Sequence, residues 1–267
     1  MVDAIAAEAF SLLGTGRQTA SFSPRYPDLD LPLAYKVASA VRGLREARGE
    51  RVVGRKIGFT NRTIWDEYNV DAPIWGWIYA SSVHEANDLT GGFPLSDLSE
   101  PRIEPEIVFG LCQTPKPGMD GSDLLGCVGW IAHGFEIVQS IFPGWVFTPA
   151  DTVAAYGLHA AMLMGPRRTM GEDREEWFEA LSTFEIDLLR DGELVDHGVA
   201  RNVLDGPLHA LKHLNDLLAR DSSFPPLAAG EMVTTGTLTR ALPIAGGQSW
   251  STRLHGVDLS PISVRFC

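Results

Sequence analysis

The stretch Arg102 to Leu111 reads RIEPEIVFGL, and it constrains the fold of this chain more than any other. As a β-strand it alternates with period two, so Ile103, Ile107, Phe109 and Leu111 face one side while Glu104, Glu106 and Val108 face the other. Two carboxylates therefore leave the sheet together, and like charges that close repel unless water or a cation separates them. A third, Glu136, lies in GWIAHGFEIV, an apolar run that reads as a buried strand. No Lys or Arg occurs between Lys116 and Arg167 to pair with it locally. A carboxylate buried without a partner must take a proton.

The 267 residues suit one large domain or one domain with a helical appendage. With 34 acidic against 22 basic residues the net charge is −12, which argues against nucleic acid or an anionic membrane surface as partners. Asp3 and Glu8 stand where a signal peptide carries positive charge, and no run reaches the roughly 18 apolar residues of a membrane span. Cys112, Cys127 and Cys267 are widely spaced and free of any CxxC pattern, so they read as reduced thiols of a cytoplasmic protein.

Apolar periodicity predicts a helix over Asp3 to Leu13, ended by Gly14, and a second over Pro32 to Arg48 with Val37, Val41 and Leu44 on one stripe. From Arg51 the pattern changes to short strands and turns: RVVGRKIGF, IWGWIY, RIEPEIVFGL and GWIAHGFEIV, with NRTIWDEYNV a short helix between the first two. FEIDLLRDGELVDHG predicts a hairpin turning at Asp191-Gly192. DGPLHALKHLNDLLARD predicts an amphipathic helix capped by Asp205, burying Leu208, Leu211, Leu214 and Leu218. GEMVTTGTLTRALPI and WSTRLHGVDLSPISVRF close the chain as strand, turn and strand. These elements predict an α+β or mainly-β roll, with a helical segment over 1–50 and a second unit over 51–267.

Three glutamates in this arrangement suit an all-oxygen site for Mg²⁺ or Mn²⁺, which take carboxylate ligands and keep positions for water or substrate. A solvated strand face with a protonated or remotely paired Glu136 stands beside that reading. His209 and His213 form HxxxH without the Glu of HExxH and read as surface residues. GTGR at Gly14 matches neither a Rossmann nor a P-loop pattern, and no GxSxG occurs. Trp75, Trp77 and Trp145 are candidates to line a pocket for an apolar tail.

RKIGFT, DAPIWG, RIEPEIVF, FEIVQS, ADTVA, DGPLHAL and GEMVTTGTLT occur in this order. Together they resemble the 2-keto-4-pentenoate hydratase and 4-oxalocrotonate decarboxylase branch of the fumarylacetoacetate hydrolase superfamily, from about Val52 to the C-terminus. The resemblance implies a rolled mixed β-sandwich of the superfamily's C-terminal type, and Mg²⁺ or Mn²⁺ on Glu104, Glu106 and Glu136, chelating a 2-oxo acid. It also implies an active-site role for Lys56, a substrate-carboxylate contact at Thr237 beside Gly236, and a homo-oligomer, associated in one reading with a related lyase. From sequence alone Lys56 also reads as a solvated strand lysine, and Thr237 as a turn residue.

Hydratases of this branch carry an Asp between the Pro and the Gly of the tract matching DAPIWG. Here Ile74 and Trp75 stand there, an aliphatic pattern nearer the decarboxylases, which makes Ile74 a candidate substrate-contact residue. The Asp-Asn pair that follows DTVA is replaced by Ala155 and Tyr156, and His159 is the candidate compensating proton donor, with a structural histidine as the alternative. His84, the one histidine before Glu104, lies outside the motif that hydrolases of the superfamily use, which counts against C–C hydrolysis. The expectation is a metal-dependent lyase of aromatic ring-cleavage catabolism acting on a small 2-oxo acid or its dienol, a hydratase first by family label, with a decarboxylase nearly equal on the Ile74 pattern and a silent 2-oxo-acid-binding partner subunit as the other class.

Overall fold

The computed structural model describes residues 1–68, 70, 72–171 and 174–267. Asn69, at the end of the expected short helix, and Asp71 of DAPIWG lie outside them. Helix α1 (Val2–Leu12) precedes α2 (Leu31–Ala47). Strands β1 (Val52–Gly58), β2 (Ile74–Tyr79), β3 (Val83–Glu85) and β4 (Arg102–Leu111) follow, with the short α3 (Trp65–Tyr68) after β1. Next come α4 (Gly121–Cys127), β5 (Val128–Val138), α5 (Pro149–Ala154), β6 (His159–Met164), β7 (Arg168–Thr169) and α6 (Arg174–Thr183). The chain ends with β8 (Glu185–Arg190), β9 (Glu193–Val199), α7 (Pro207–Arg220), β10 (Met232–Thr234), β11 (Leu242–Pro243), β12 (Ser249–His255) and β13 (Ser263–Arg265).

The fold is α+β. Among the described residues the strands form a curled mixed sheet in the order β2-β1-β10-β4-β5-β6-β3, with β11 on β4 and β7 on β5, and a second sheet β13-β12-β8-β9. β1 with β10 and β3 with β6 pair parallel. The concave face is crowded: a Cβ on Gly54 would meet Met232 O at 2.1 Å, and one on Gly134 would meet Met162 Cε at 2.3 Å. On the convex face Ile57, Ile107, Phe109 and Ile131 share a core with Leu208, Leu211 and Leu214 of α7. Beside them Ile103, Phe135 and Ile137 share another with Leu188, Trp250 and Val264 of the second sheet. Burial of each such side chain contributes about 1.5–3 kcal/mol.

Asp30 caps α2 by accepting from Leu33 N at 2.9 Å, with Pro32 in the first turn. Residues of α1, α2 and α5 form one cluster with Ile74, Val138, Tyr156 and Leu158, so the helices close over one end of the curled sheet. Two expectations are corrected here. Leu44 of α2 is exposed and Arg45 is buried in its place, because the guanidinium meets Glu50 at 2.6 Å and stacks 3.6 Å from the Tyr79 ring centre. Asp205 does not cap α7; Gly206 occupies that position, and Asp205 pairs with Arg62 at 3.0 Å. The Asp191-Gly192 hairpin turn has both residues at positive φ, 53° and 88°, as a two-residue turn between twisted strands requires. GEMVTTGTLTRALPI is interrupted between β10 and β11, where Gly236 has φ 96°. Among the described residues no helix is long and apolar enough to cross a membrane.

His133 ties the two sheets together. Its Nδ1 lies 3.0 Å from Glu106 O and its Nε2 3.0 Å from Thr252 Oγ1. Burial pushes its pKa down from 6.5 to about 4, the Glu106 carbonyl opposing only in part. The unfolded chain therefore gains a proton below pH 6.5 that the folded chain refuses until about pH 4, so this contribution to stability is complete above 6.5 and is lost as pH falls through that window. The loss reaches about 3 kcal/mol at its limit. Denaturant midpoints measured from pH 8 to pH 4.5 should fall less in His133→Asn than in the unaltered chain; parallel slopes would refute the assignment.

Candidate metal and 2-oxo-acid site

The β4/β5 pairing sets Glu104 directly opposite Glu136, with Glu106 opposite Gly134. One oxygen from each of the three carboxylates lies within 4.8 Å of the others. Lys56 reaches them from β1: its Nζ is 3.2 Å from Glu136 Oε2 and donates to Gly157 O at 3.1 Å. Gly157 leaves room for its stem, since a Cβ there would lie 3.2 Å from Lys56 Cδ, closer than an ordinary contact. Glu106 and Glu136 are fully buried, Lys56 nearly so, and Glu104 is half-buried at the cavity.

Burial dominates the electrostatics. It raises Glu104 to about 7, with Lys56 opposing and Glu136 reinforcing. It raises Glu106 well above the carboxylate range, and the charges of Glu136 and Glu104 add to it. At Glu136 burial acts the same way but is outweighed by Lys56 and the His159 hydrogen bond, which hold the group at about 2. Burial also pulls Lys56 down, and the charges of Glu136, Glu104 and Glu106 more than compensate, leaving it raised. Three carboxylates face one ammonium, and Glu106 Oε1, fully buried, has no hydrogen-bond partner. A divalent cation would bring the cluster to neutrality and engage that oxygen, so the donor set fits a hard ion.

The structure brings most of the sequence candidates to one cavity. Lys56, Glu104, Ile74, Gly236 and Thr237 line it, and its apolar wall is Phe59, Ile74, Val138, Trp145, Leu158 and Ala241. Gly236 donates its N–H to Glu106 Oε2 at 2.8 Å, and a Cβ there would meet Thr60 Oγ1 at 1.8 Å. Thr237 Oγ1 donates to Thr239 O at 2.9 Å, so its hydrogen must swing before it can serve a substrate. His159 is not in the wall; its Nδ1 lies 2.7 Å from Glu136 Oε1. Trp145 lines the cavity, whereas Trp75 and Trp77 are buried in the convex core. His209 is exposed and His213 half-buried on α7.

Sequence reasoning did not find Ser82, whose Oγ is 2.8 Å from His159 Nε2, nor the Gly157 carbonyl that seats Lys56. Spacing carries no signal for Ser82, 77 residues away in the chain. Replacing Glu104, Glu106 or Glu136 by Gln should each lower Mg²⁺ or Mn²⁺ affinity sharply while leaving the circular dichroism spectrum unchanged; calorimetric titrations equal to the unaltered chain in all three would sink the metal site.

No family model matches the chain. The 4-oxalocrotonate decarboxylase of Pseudomonas sp. strain CF600 is 30% identical over 244 residues, 90% of this chain and 87% of that one. The 2-hydroxyhexa-2,4-dienoate hydratase of Comamonas testosteroni is 28% identical over 95% of this chain and 93% of its own length. Among solved structures, 4-oxalocrotonate decarboxylase from Pseudomonas putida G7, complexed with magnesium and adipate, superposes with a TM-score of 0.87 at 25% identity, covering 100% of this chain and 97% of that one. Fumarylacetoacetate hydrolase family proteins share the fold at lower identity. With that identity sustained over nearly the whole length of both chains, the protein belongs to the 2-keto-4-pentenoate hydratase and 4-oxalocrotonate decarboxylase family.

Proposed function

We propose that the chain is a divalent-metal-dependent lyase acting on a small 2-oxo acid or its dienol in the breakdown of aromatic ring-cleavage products. The observation that carries this reading is the convergence of Glu104, Glu106, Glu136 and Lys56 in one buried cluster, from which Lys56 and Glu104 line an apolar cavity. The relatives' names, and the magnesium in a solved one, support it. Glu104, Glu106 and Glu136 would hold Mg²⁺ or Mn²⁺, which when bound supplies Lewis-acid stabilisation of the negative charge that develops on a 2-oxo acid's keto oxygen. Lys56 balances that charge or moves a proton beside it. Thr237, with its hydrogen swung from Thr239, holds the substrate carboxylate next to Gly236. The 51–267 unit, read as the rolled sandwich of the superfamily, carries these groups, and the helical segment over 1–50 backs the apolar wall.

The wall favours loss of CO₂ over addition of water. Hydration needs one group to protonate carbon and another to deliver water, whereas decarboxylation needs chiefly an electron sink. Among the described residues lining the cavity, Lys56 and Glu104 alone are titratable. Ile74 and its apolar neighbours also disfavour a charged carboxylate relative to neutral CO₂. Hydration is the second reading, supported by the hydratase relative.

With Mg²⁺ present, the chain should release CO₂ from 4-oxalocrotonate faster than it consumes 2-hydroxypenta-2,4-dienoate, followed by ultraviolet absorbance. Lys56→Met should slow the reaction about a hundredfold or more while metal binding persists, and Ile74→Asp should shift the ratio toward hydration. Turnover of neither substrate would replace the enzyme with a 2-oxo-acid binder, and efficient hydration weakened by Ile74→Asp would reverse the order of the two readings.

A further inference from the structure

Glu136 stands in a buried chain of contacts that the proposed chemistry does not use. Its Oε1 is 2.7 Å from His159 Nδ1, and His159 Nε2 is 2.8 Å from Ser82 Oγ. Ser82 Oγ is also 2.9 Å from Tyr79 O. Ser82 is 7% exposed, His159 2% and Glu136 0%, and neither Ser82 nor His159 lines the cavity.

The hydrogens along this chain can be counted. A serine hydroxyl has one hydrogen. If it goes to His159 Nε2, the ring donates through Nδ1 to Glu136. If it goes to the Tyr79 carbonyl, the ring donates through Nε2 to Ser82. A ring protonated on Nε2 alone then turns a lone pair on the carboxylate at 2.7 Å, and two acceptors repel. Every arrangement that satisfies an ionised Glu136 therefore has a hydrogen on Nδ1. With Oε1 so engaged, the carboxylate presents Oε2 to Lys56 at 3.2 Å.

We propose that Ser82 and His159 are positioning residues: Ser82 orients the His159 ring, and the His159 Nδ1–H fixes the rotation of Glu136 that turns Oε2 toward Lys56, the rotation in which Glu136 would join Glu104 and Glu106 in holding a cation. The proposal rests on the metal reading of the three glutamates. Groups that orient a metal ligand in this way typically change metal affinity 10–100-fold when lost. The motifs imply no role for Ser82, and they suggest His159 only as a proton donor, not as a residue that orients Glu136.

Two amides separate positioning from packing. Asn places an N–H donor near the reach of Nδ1, while Gln places one near that of Nε2. His159→Asn should bind Mn²⁺ within about threefold of the unaltered chain by calorimetry, whereas His159→Gln should bind about tenfold or more weakly. Ser82→Ala should also weaken binding, and Ser82→Thr, which keeps the hydroxyl, should restore it. Ring-nitrogen NMR of the unaltered metal-free chain should show a hydrogen on His159 Nδ1. Equal affinities for Asn and Gln, or a ring protonated on Nε2 alone, would overturn the proposal and leave the metal site standing. Failure of the unaltered chain to bind Mn²⁺ would overturn both. Should either His159 variant fail to melt cooperatively, the Ser82 pair and the NMR measurement decide the matter.

Discussion

Everything at the site depends on one pairing register, Glu104 against Glu136 between β4 and β5. Because side chains alternate along a strand, a slip of one residue would send a carboxylate to the convex face. That face is occupied by Ile103, Ile107, Phe109, Phe135 and Ile137, all fully buried. Their packing against α7 and the second sheet is therefore what holds three carboxylates together on the other side. Gly134, opposite Glu106, completes the arrangement, since any side chain there would collide with Met162.

β1 applies the same alternation to cations. Arg55 and Lys56 are neighbours in sequence, both buried, and point to opposite faces. Arg55 pairs with Glu231 at 2.6 Å and stacks 3.8 Å from the Trp77 ring centre, while Lys56 meets Glu136. Two adjacent buried cations are tolerated because each has its own carboxylate on its own side of the sheet. The tryptophans of IWGWIY belong to the arginine side, which is why two of the three proposed for the substrate pocket are found in the core.

Legibility in the sequence followed the range of the interactions. Period-two alternation in RIEPEIVFGL and the leucine spacing of DGPLHALKHLNDLLARD are local, and both the shared face of Glu104 and Glu106 and the buried stripe of α7 were readable from them. Leu44 and Arg45 exchanged roles because a salt bridge to Glu50 and a ring face on Tyr79 made burial of a guanidinium favourable, and neither partner is visible in helical periodicity. Gly236 is expected beside the Thr237 contact to substrate; its N–H on Glu106 and its missing Cβ against Thr60 depend on residues far away in the chain. Ser82 reaches His159 only through the parallel pairing of β3 with β6, a long-range contact that spacing does not encode.

The turn before β6 shows how the helical segment takes part in the site. Tyr156, Gly157 and Leu158 follow one another at φ 51°, 64° and 63°, and a non-glycine residue in that region costs of order 1–3 kcal/mol. Three things follow from that geometry: the Gly157 carbonyl meets Lys56 Nζ, Leu158 enters the apolar wall, and His159 begins β6 beside Glu136. The strained backbone is retained because Tyr156 is buried in the cluster of α1, α2 and α5, its hydroxyl donating to Ala9 O of α1 at 3.4 Å. Helices α1 and α2 thus pack, with α5, around Ala155 and Tyr156, directly behind the turn that seats Lys56.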